Sequence, residues 1–213
     1  MAGVKSGRTY SSQVRDEQAA RTRVRIVQAA DELFRERGYA ATTMRDIAQR
    51  AGVARDTVHS VFGNKVALIP AIVDLRLVPD ESVPNVADTA AGQAVMDETD
   101  PHRQLELFAG FITKLNVGLR PVFEIMRSAA ASEPGVAEMI TTLERNRLRN
   151  MQRYAGWFAA RGPLRLSPRK AAETIFAIVS PDVGRVLCDE LGYSQKQHAA
   201  WVADMLTRAL LPD

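Results

Sequence analysis

Apolar residues first settle into a helical rhythm in the stretch RTRVRIVQAADELFRERG, where Ile26, Ala29, Ala30, Leu33 and Phe34 recur three and four apart. Asp31, Glu32, Arg35 and Glu36 face away, and Gly38 stands where a helix closes in left-handed backbone, so the spacing predicts a helix over about 18–37. Thr43 and Asp46 then form a Thr-x-x-Asp arrangement close to a capping box, followed by Ile47, Ala48 and Ala51 as the apolar edge of a short helix. Gly52 ends it, Val53 plugs the turn, and a second short helix is predicted over about 54–62, with Val58, Val61 and Phe62 on its inner face. Gly63-Asn64 breaks the chain again. Lys65 opens a fourth helix carrying Val66, Leu68, Ile69, Ile72, Val73 and Leu77, in which Pro70 demands a kink or a late start.

Residues 79–100 contain Pro79, Pro84 and Gly92 with a surplus of acids, the pattern of a linker or loop with a helical turn near 88–96. Every later segment reads as helix, over about 101–118, 121–131, 134–161, 168–190 and 195–211. The expected fold class is all-α, about nine helices in all: an N-terminal three-helix helix-turn-helix domain and a larger C-terminal helical bundle. The expected organisation is a flexible basic arm at 1–17, the helix-turn-helix domain at 18–65, a connecting helix at 66–78 and a ligand-binding and dimerisation domain at 79–213.

Charge adds a direction to this picture. Residues 1–65 hold 12 Lys/Arg against 7 Asp/Glu, while the remainder holds 16 against 18, so a chain of net charge +3 is basic in front and slightly acidic behind. A basic front suits an anionic partner such as nucleic acid. No stretch approaches the roughly 20 apolar residues that span a bilayer, and the N-terminus has no apolar core of a secretory signal, so no membrane partner and a cytoplasmic location are expected. Cys188 is the single cysteine, and His59, His102 and His198 are scattered, which argues against an intramolecular disulfide, a metal site or a cofactor. No nucleophile elbow, phosphate loop or dinucleotide fingerprint is present, so no catalytic residues and no enzyme activity are expected.

Two short helices joined by a glycine turn and propped by a preceding helix make a helix-turn-helix. The spacing of the second helix leaves Arg55, Asp56, His59 and Ser60 outward, and a helix of this width fits the major groove of B-DNA. Arg55 can donate twin bonds to guanine, Asp56 can accept from a cytosine amino group, and His59 and Ser60 can serve bases or phosphates. Thr43, Arg45 and Lys65, at helix starts, can hold the backbone. Each of these residues alone would be an ordinary cap or solvated charge; the whole set at this spacing carries the reading.

The ordered set Gly38-Tyr39…Thr42-Thr43…Ile47-Ala48…Ala51-Gly52-Val53…Thr57-Val58…Phe62…Asn64-Lys65…Leu68 resembles the DNA-binding domain of TetR/AcrR-type transcriptional regulators over about residues 25–72. The resemblance implies a homodimeric repressor with a variable C-terminal domain for a small-molecule effector, bound to a double-stranded DNA operator. It implies DNA contacts at Thr43, Arg45, Arg55, Asp56, Thr57, His59, Ser60 and Lys65. Ala54 departs from a Ser that often caps the recognition helix, His59 stands where Tyr is frequent, and Val66 replaces a usual Glu. A second likeness, Ser180-Pro181-Asp182-Val183…Leu187…Gly192-Tyr193-Ser194…Trp201-Val202…Leu206…Leu210-Leu211, is similar to the final helix pair through which many members dimerise. It assigns Val179, Val183, Val186, Leu187, Trp201, Met205 and Leu206 to a dimer interface. A ligand pocket is likewise implied by the family, with Phe108, Phe111, Ile112, Leu115, Phe123, Met126, Met139, Leu143, Trp157, Phe158 and Phe176 as lining candidates and Arg147 and Glu124 as polar ones. A helical protein-interaction module, or a helical enzyme built from scattered residues, is the competing expectation.

Overall fold

The computed structural model describes residues 6–77, 89–130 and 133–212, with side chains of the first helix from residue 15 onward. The described residues contain helices and no strand, and they divide into two compact units, 1–75 with 121–136 and 76–120 with 137–213. The 121–136 stretch thus belongs with the N-terminal unit, which a linear domain division at residue 78 does not foresee.

In the first unit, α1 (Ser6–Arg37) buries Ile26, Ala29, Ala30, Leu33 and Phe34 along the predicted stripe. It starts at Ser6 rather than near 18, so residues 6–17 continue the helix instead of forming an arm; residues 1–5 lie outside the described set. Once a helix is nucleated by a packed segment, each further residue adds a hydrogen bond without needing an apolar face of its own. Next come α2 (Met44–Ala51), α3 (Arg55–Phe62) and α4 (Leu68–Leu77). Ile47, Val58, Leu68, Ile69 and Ile72 are fully buried, giving the three-helix head and the start of α4 a continuous apolar core. Lys65 does not open α4; turns occupy residues 63–67, with the Asn64 Oδ1 accepting from the Ala67 amide at 3.0 Å. The late start leaves Pro70 in the first helical turn, where its missing N–H costs nothing.

In the second unit, α5 (Ala90–Asp97) is capped by Thr89, whose Oγ1 accepts from the Gly92 amide at 3.2 Å. The rest of the expected loop, residues 78–88, lies outside the described residues. The helix α6 (Pro101–Ala130) runs through Pro121, where a break was expected. An internal proline strips partners from the carbonyls of the preceding turn, and the Arg76 guanidinium donates to the Gly118 carbonyl there at 2.8 Å. Then follow α7 (Pro134–Ala159), α8 (Pro168–Ile178), α9 (Pro181–Arg185) and α10 (Gln195–Leu210). The predicted continuous helix over 168–190 is split at Ser180-Pro181, and α9 passes into a π turn, Val186–Glu190. Phe108, Ile112, Met151, Tyr154, Phe158, Ile175, Val202 and Leu206 lie in the core that joins α6, α7, α8 and α10.

Candidate nucleic-acid interface

The candidate surface is built by α2, the turn after it and α3. Thr43 and Asp46 complete the capping box: the Asp46 carboxylate accepts from the Thr43 amide at 2.9 Å and from its hydroxyl at 2.6 Å, and the Thr43 Oγ1 accepts from the Asp46 amide at 3.2 Å. These bonds from Thr43 hold the Asp46 carboxyl below the usual carboxylate range. The box thereby fixes the N-terminal end of α2, which is exposed at Thr43 and Arg45. At the other end Gly52 adopts φ 65°, ψ 40°, the left-handed region where a side chain is strained, and its amide closes on the carbonyls of Ala48 and Gln49. Arg50 clamps α2 to α1, donating to Glu32 at 3.0 Å and to Glu36 at 2.8 Å; its guanidinium lowers the Glu36 carboxyl.

The orientation of α3 follows from two buried anchors, Val58 and Phe62. Arg23 of α1 lies over the Phe62 ring with its guanidinium carbon 4.5 Å from the centroid, a cation–π contact at the C-terminal end of α3. Val61, expected to be a third anchor, is 38% exposed: in a helix of eight residues the buried pair at 58 and 62 defines the face, and 61 falls on its flank. Arg55, Asp56 and Ser60 are exposed and make no side-chain hydrogen bond or ion pair with another described residue, while Thr57 is half-buried. Ala54 caps α3 without any side-chain bond, as the departure from Ser leads one to expect. The His59 Nδ1 meets the Gly63 carbonyl at 3.0 Å; since a carbonyl only accepts, the proton is on Nδ1, and Nε2 is left as the outward atom.

Lys65 is placed differently from its expected role. Its Nζ donates to the carbonyls of Tyr39 at 2.8 Å and Thr42 at 3.0 Å, and sits 4.1 Å over the Tyr39 ring. Burial lowers its ammonium below the usual lysine range. Lys65 thus ties the α3–α4 turn to the α1–α2 turn, and two of its three donors are already committed. The Tyr39 hydroxyl beneath it is buried without a partner and pushed up to about 12, mainly by burial and further by the Glu133 carboxylate. Periodicity could not expose this tie, because it joins residues 26 positions apart.

The other predicted positions divide by burial. Phe108, Ile112 and Phe158 are buried in the second unit's core, with Phe111, Leu115, Trp157 and Phe176 half-buried against it. Tyr154, not foreseen, sits among them, its ring 4.8 Å from Phe108 and 5.0 Å from Trp157. Phe123 and Met126 fall in the first unit, because α6 continues past Pro121, and Met139 and Leu143 are half-buried elsewhere on α7. Glu124 is exposed; Arg147 pairs with Glu144 at 3.0 Å, donates to the Phe176 carbonyl at 3.0 Å and stacks 3.5 Å over the Phe176 ring. Of the interface candidates, Val179, Leu187 and Leu206 are buried within their own unit. Val183, Trp201 and Met205 are half-buried, while Val186 and the unforeseen Leu191 are 37% and 62% exposed. The split at Ser180-Pro181 and the π turn set these facings, which a single straight helix would not.

Residues 26–72 match the family model described as bacterial regulatory proteins, tetR family. The chain is 45% identical over 58 residues to the HTH-type transcriptional regulator TtgR of Pseudomonas putida, an overlap covering 27% of this chain and 28% of TtgR. It is 33% identical over 122 residues to the HTH-type transcriptional activator FasR of Mycolicibacterium smegmatis, covering 55% of this chain and 51% of FasR. The chain thus spans between about a quarter and a half of these curated relatives. Among solved structures, the SmeT–triclosan complex superposes with a TM-score of 0.68 at 26% identity, over 90% of this chain and 92% of that one. SmeT is the repressor of the Stenotrophomonas maltophilia multidrug efflux pump SmeDEF.

Proposed function

The chain carries a DNA-binding domain of the bacterial tetR family of regulatory proteins, and from that premise we propose that it is a homodimeric transcriptional repressor released from a palindromic operator by a small apolar or aromatic effector. The observation that carries this reading is the outer face of α3, where Arg55, Asp56 and Ser60 are exposed and uncommitted beside a rigidly capped α2. Arg55 and Asp56 read base edges, Ser60 and the His59 Nε2 supply further bonds, and Thr43, Arg45 and Thr57 hold phosphates. The exposed flank of Val61 offers an apolar contact to a thymine methyl. Lys65 acts indirectly, by holding the turn that presents α3.

The dimer forms through the exposed side of α9, the π turn and α10, with Val183, Val186, Leu191, Trp201 and Met205 at its centre. The effector site draws on the aromatic cluster of Phe108, Phe111, Tyr154, Trp157 and Phe158. The likeness to SmeT, solved with triclosan, supports an aromatic ligand. Such a ligand shifts the DNA-binding equilibrium only by its preference for one state over the other.

A second reading, activation, is favoured by FasR, an activator that aligns over more of the chain than TtgR does. Selection of bound duplexes from a random pool by the full chain tests DNA binding: a two-fold symmetric site with half-sites about 34–36 Å apart is expected. Enrichment of no sequence would sink the proposal. A promoter carrying the selected site then separates repression from activation, and thermal shifts with triclosan and other aromatic compounds test effector binding.

A further inference from the structure

The basic excess of the front of the chain does not lie in the helix-turn-helix. Residues 26–65 hold 6 Lys/Arg against 5 Asp/Glu, whereas residues 1–25 hold 6 against 2. Four of the five surplus charges therefore precede the head, and the structure puts most of that segment on the first turns of α1.

We infer that the N-terminal turns of α1 are a second DNA-contact element, gripping phosphates beside the groove that α3 enters. Three placements support it. The contact of Arg23 with the ring of Phe62 fixes this turn of α1 at the C-terminal end of α3. From there back to Ser6 the helix continues for about 25 Å at 1.5 Å per residue, about twice the roughly 12 Å width of the major groove. Positions 8, 15 and 23 fall within about 80° of arc, on the continuation of the stripe that, inside the head, is Ile26, Ala30 and Leu33. The face of α1 turned toward the rest of the head thus becomes, on the projecting turns, a row of arginine positions. Asp16 borders that row, and Glu17 is paired with Arg21 at 3.9 Å. Residues 15–21 are all exposed, so this stretch has no packing role in its own chain. A helix that is polar all round and projects from a packed head needs a partner or solvent on every side; its charge selects a polyanion, and its departure from the end of α3 selects the duplex that α3 reads.

The inference rests on the DNA-binding reading and deepens it. Its test uses the full chain on the selected operator, with affinity followed against salt for the unaltered protein, for R8A/R15A and for R8K/R15K. Two lost phosphate contacts make the slope of log affinity against log salt shallower by about 1.8 per protomer. Preference for operator over random sequence stays the same, since phosphates carry no sequence. R8K/R15K keeps the original slope. Matching circular dichroism and melting of the three proteins shows that they fold alike. An unchanged slope in R8A/R15A, with operator binding intact, overturns this inference alone; failure of the unaltered protein to bind any DNA overturns the regulator reading and this inference with it.

Discussion

The ammonium of Lys65 donates to the backbone carbonyl of Tyr39 at 2.8 Å while lying 4.1 Å above the ring of the same residue. The turn that follows α3 is therefore pinned to the turn that precedes α2, and the presentation of α3 depends on one side chain that is itself turned away from its outer face.

Replacing Lys65 by Met removes two charge-assisted bonds and a cation–π contact, and leaves the Thr42 carbonyl short of a donor. The expected loss is about 1–3 kcal/mol of stability, read from urea unfolding followed by helical circular dichroism. DNA affinity falls with it, while the salt slope stays unchanged. A variant as stable as the original but with a slope shallower by about one unit would restore Lys65 to a phosphate contact.

Arg55→Ala removes an exposed, unpaired side chain at the first turn of α3, so melting is unaffected. Binding to the preferred operator drops by about 1–3 kcal/mol per half-site, and one base position in each half-site loses its preference when selection is repeated. Retention of the full sequence preference would remove Arg55 from base readout.

A methyl group on Gly184 would sit 2.9 Å from the Cε1 of His198, a ring that is itself only 2% exposed. The absence of a side chain on α9 is what lets α10 approach. Gly184→Ala forces the two helices apart or strains the ring, at about 1–3 kcal/mol in chemical unfolding. An unaltered midpoint would show that the ring yields without loss.

His198 also makes this helix pair sensitive to acid. Burial, helped by the nearby Arg120 guanidinium, lowers its pKa below the ordinary 6.5. The unfolded chain therefore takes up a proton at a higher pH than the folded one, and the stability that the neutral ring supports is complete above pH 6.5 and lost as pH falls below it. The Cys188 thiol, 3.7 Å from Nδ1, is a weak partner and offers no negative charge to retain the proton. Melts at pH 7.5 and 5.5 should differ more for the unaltered protein than for His198→Gln; equal differences would assign the acid sensitivity to other groups.

Much of the head was legible along the chain because its determinants are local. A capping box spans three residues, Gly52 carries its own backbone preference, and the anchors Val58 and Phe62 are one turn apart. Val61 was misplaced because periodicity alone cannot tell the centre of so short a face from its edge. Lys65 was misread for a different reason: a basic residue after a recognition helix looks the same whether it faces phosphate or a carbonyl 26 residues earlier. In the C-terminal part, Pro121 was taken for a break and Ser180-Pro181 was passed over, since the cost of a proline depends on which carbonyls find other donors, as Gly118 does in Arg76.

The sequence by itself determined that this is an all-helical chain with a helix-turn-helix near its front, because helical rhythm, caps and glycine turns act over a few residues. Only the tertiary structure decided which cations are free and which are tied down, and which apolar residues of the last helices are inside. Those outcomes are settled by partners distant in sequence and by the rotation that a split or a π turn gives to everything after it. Physical free energy is set by three-dimensional neighbours, and the order of residues does not display them.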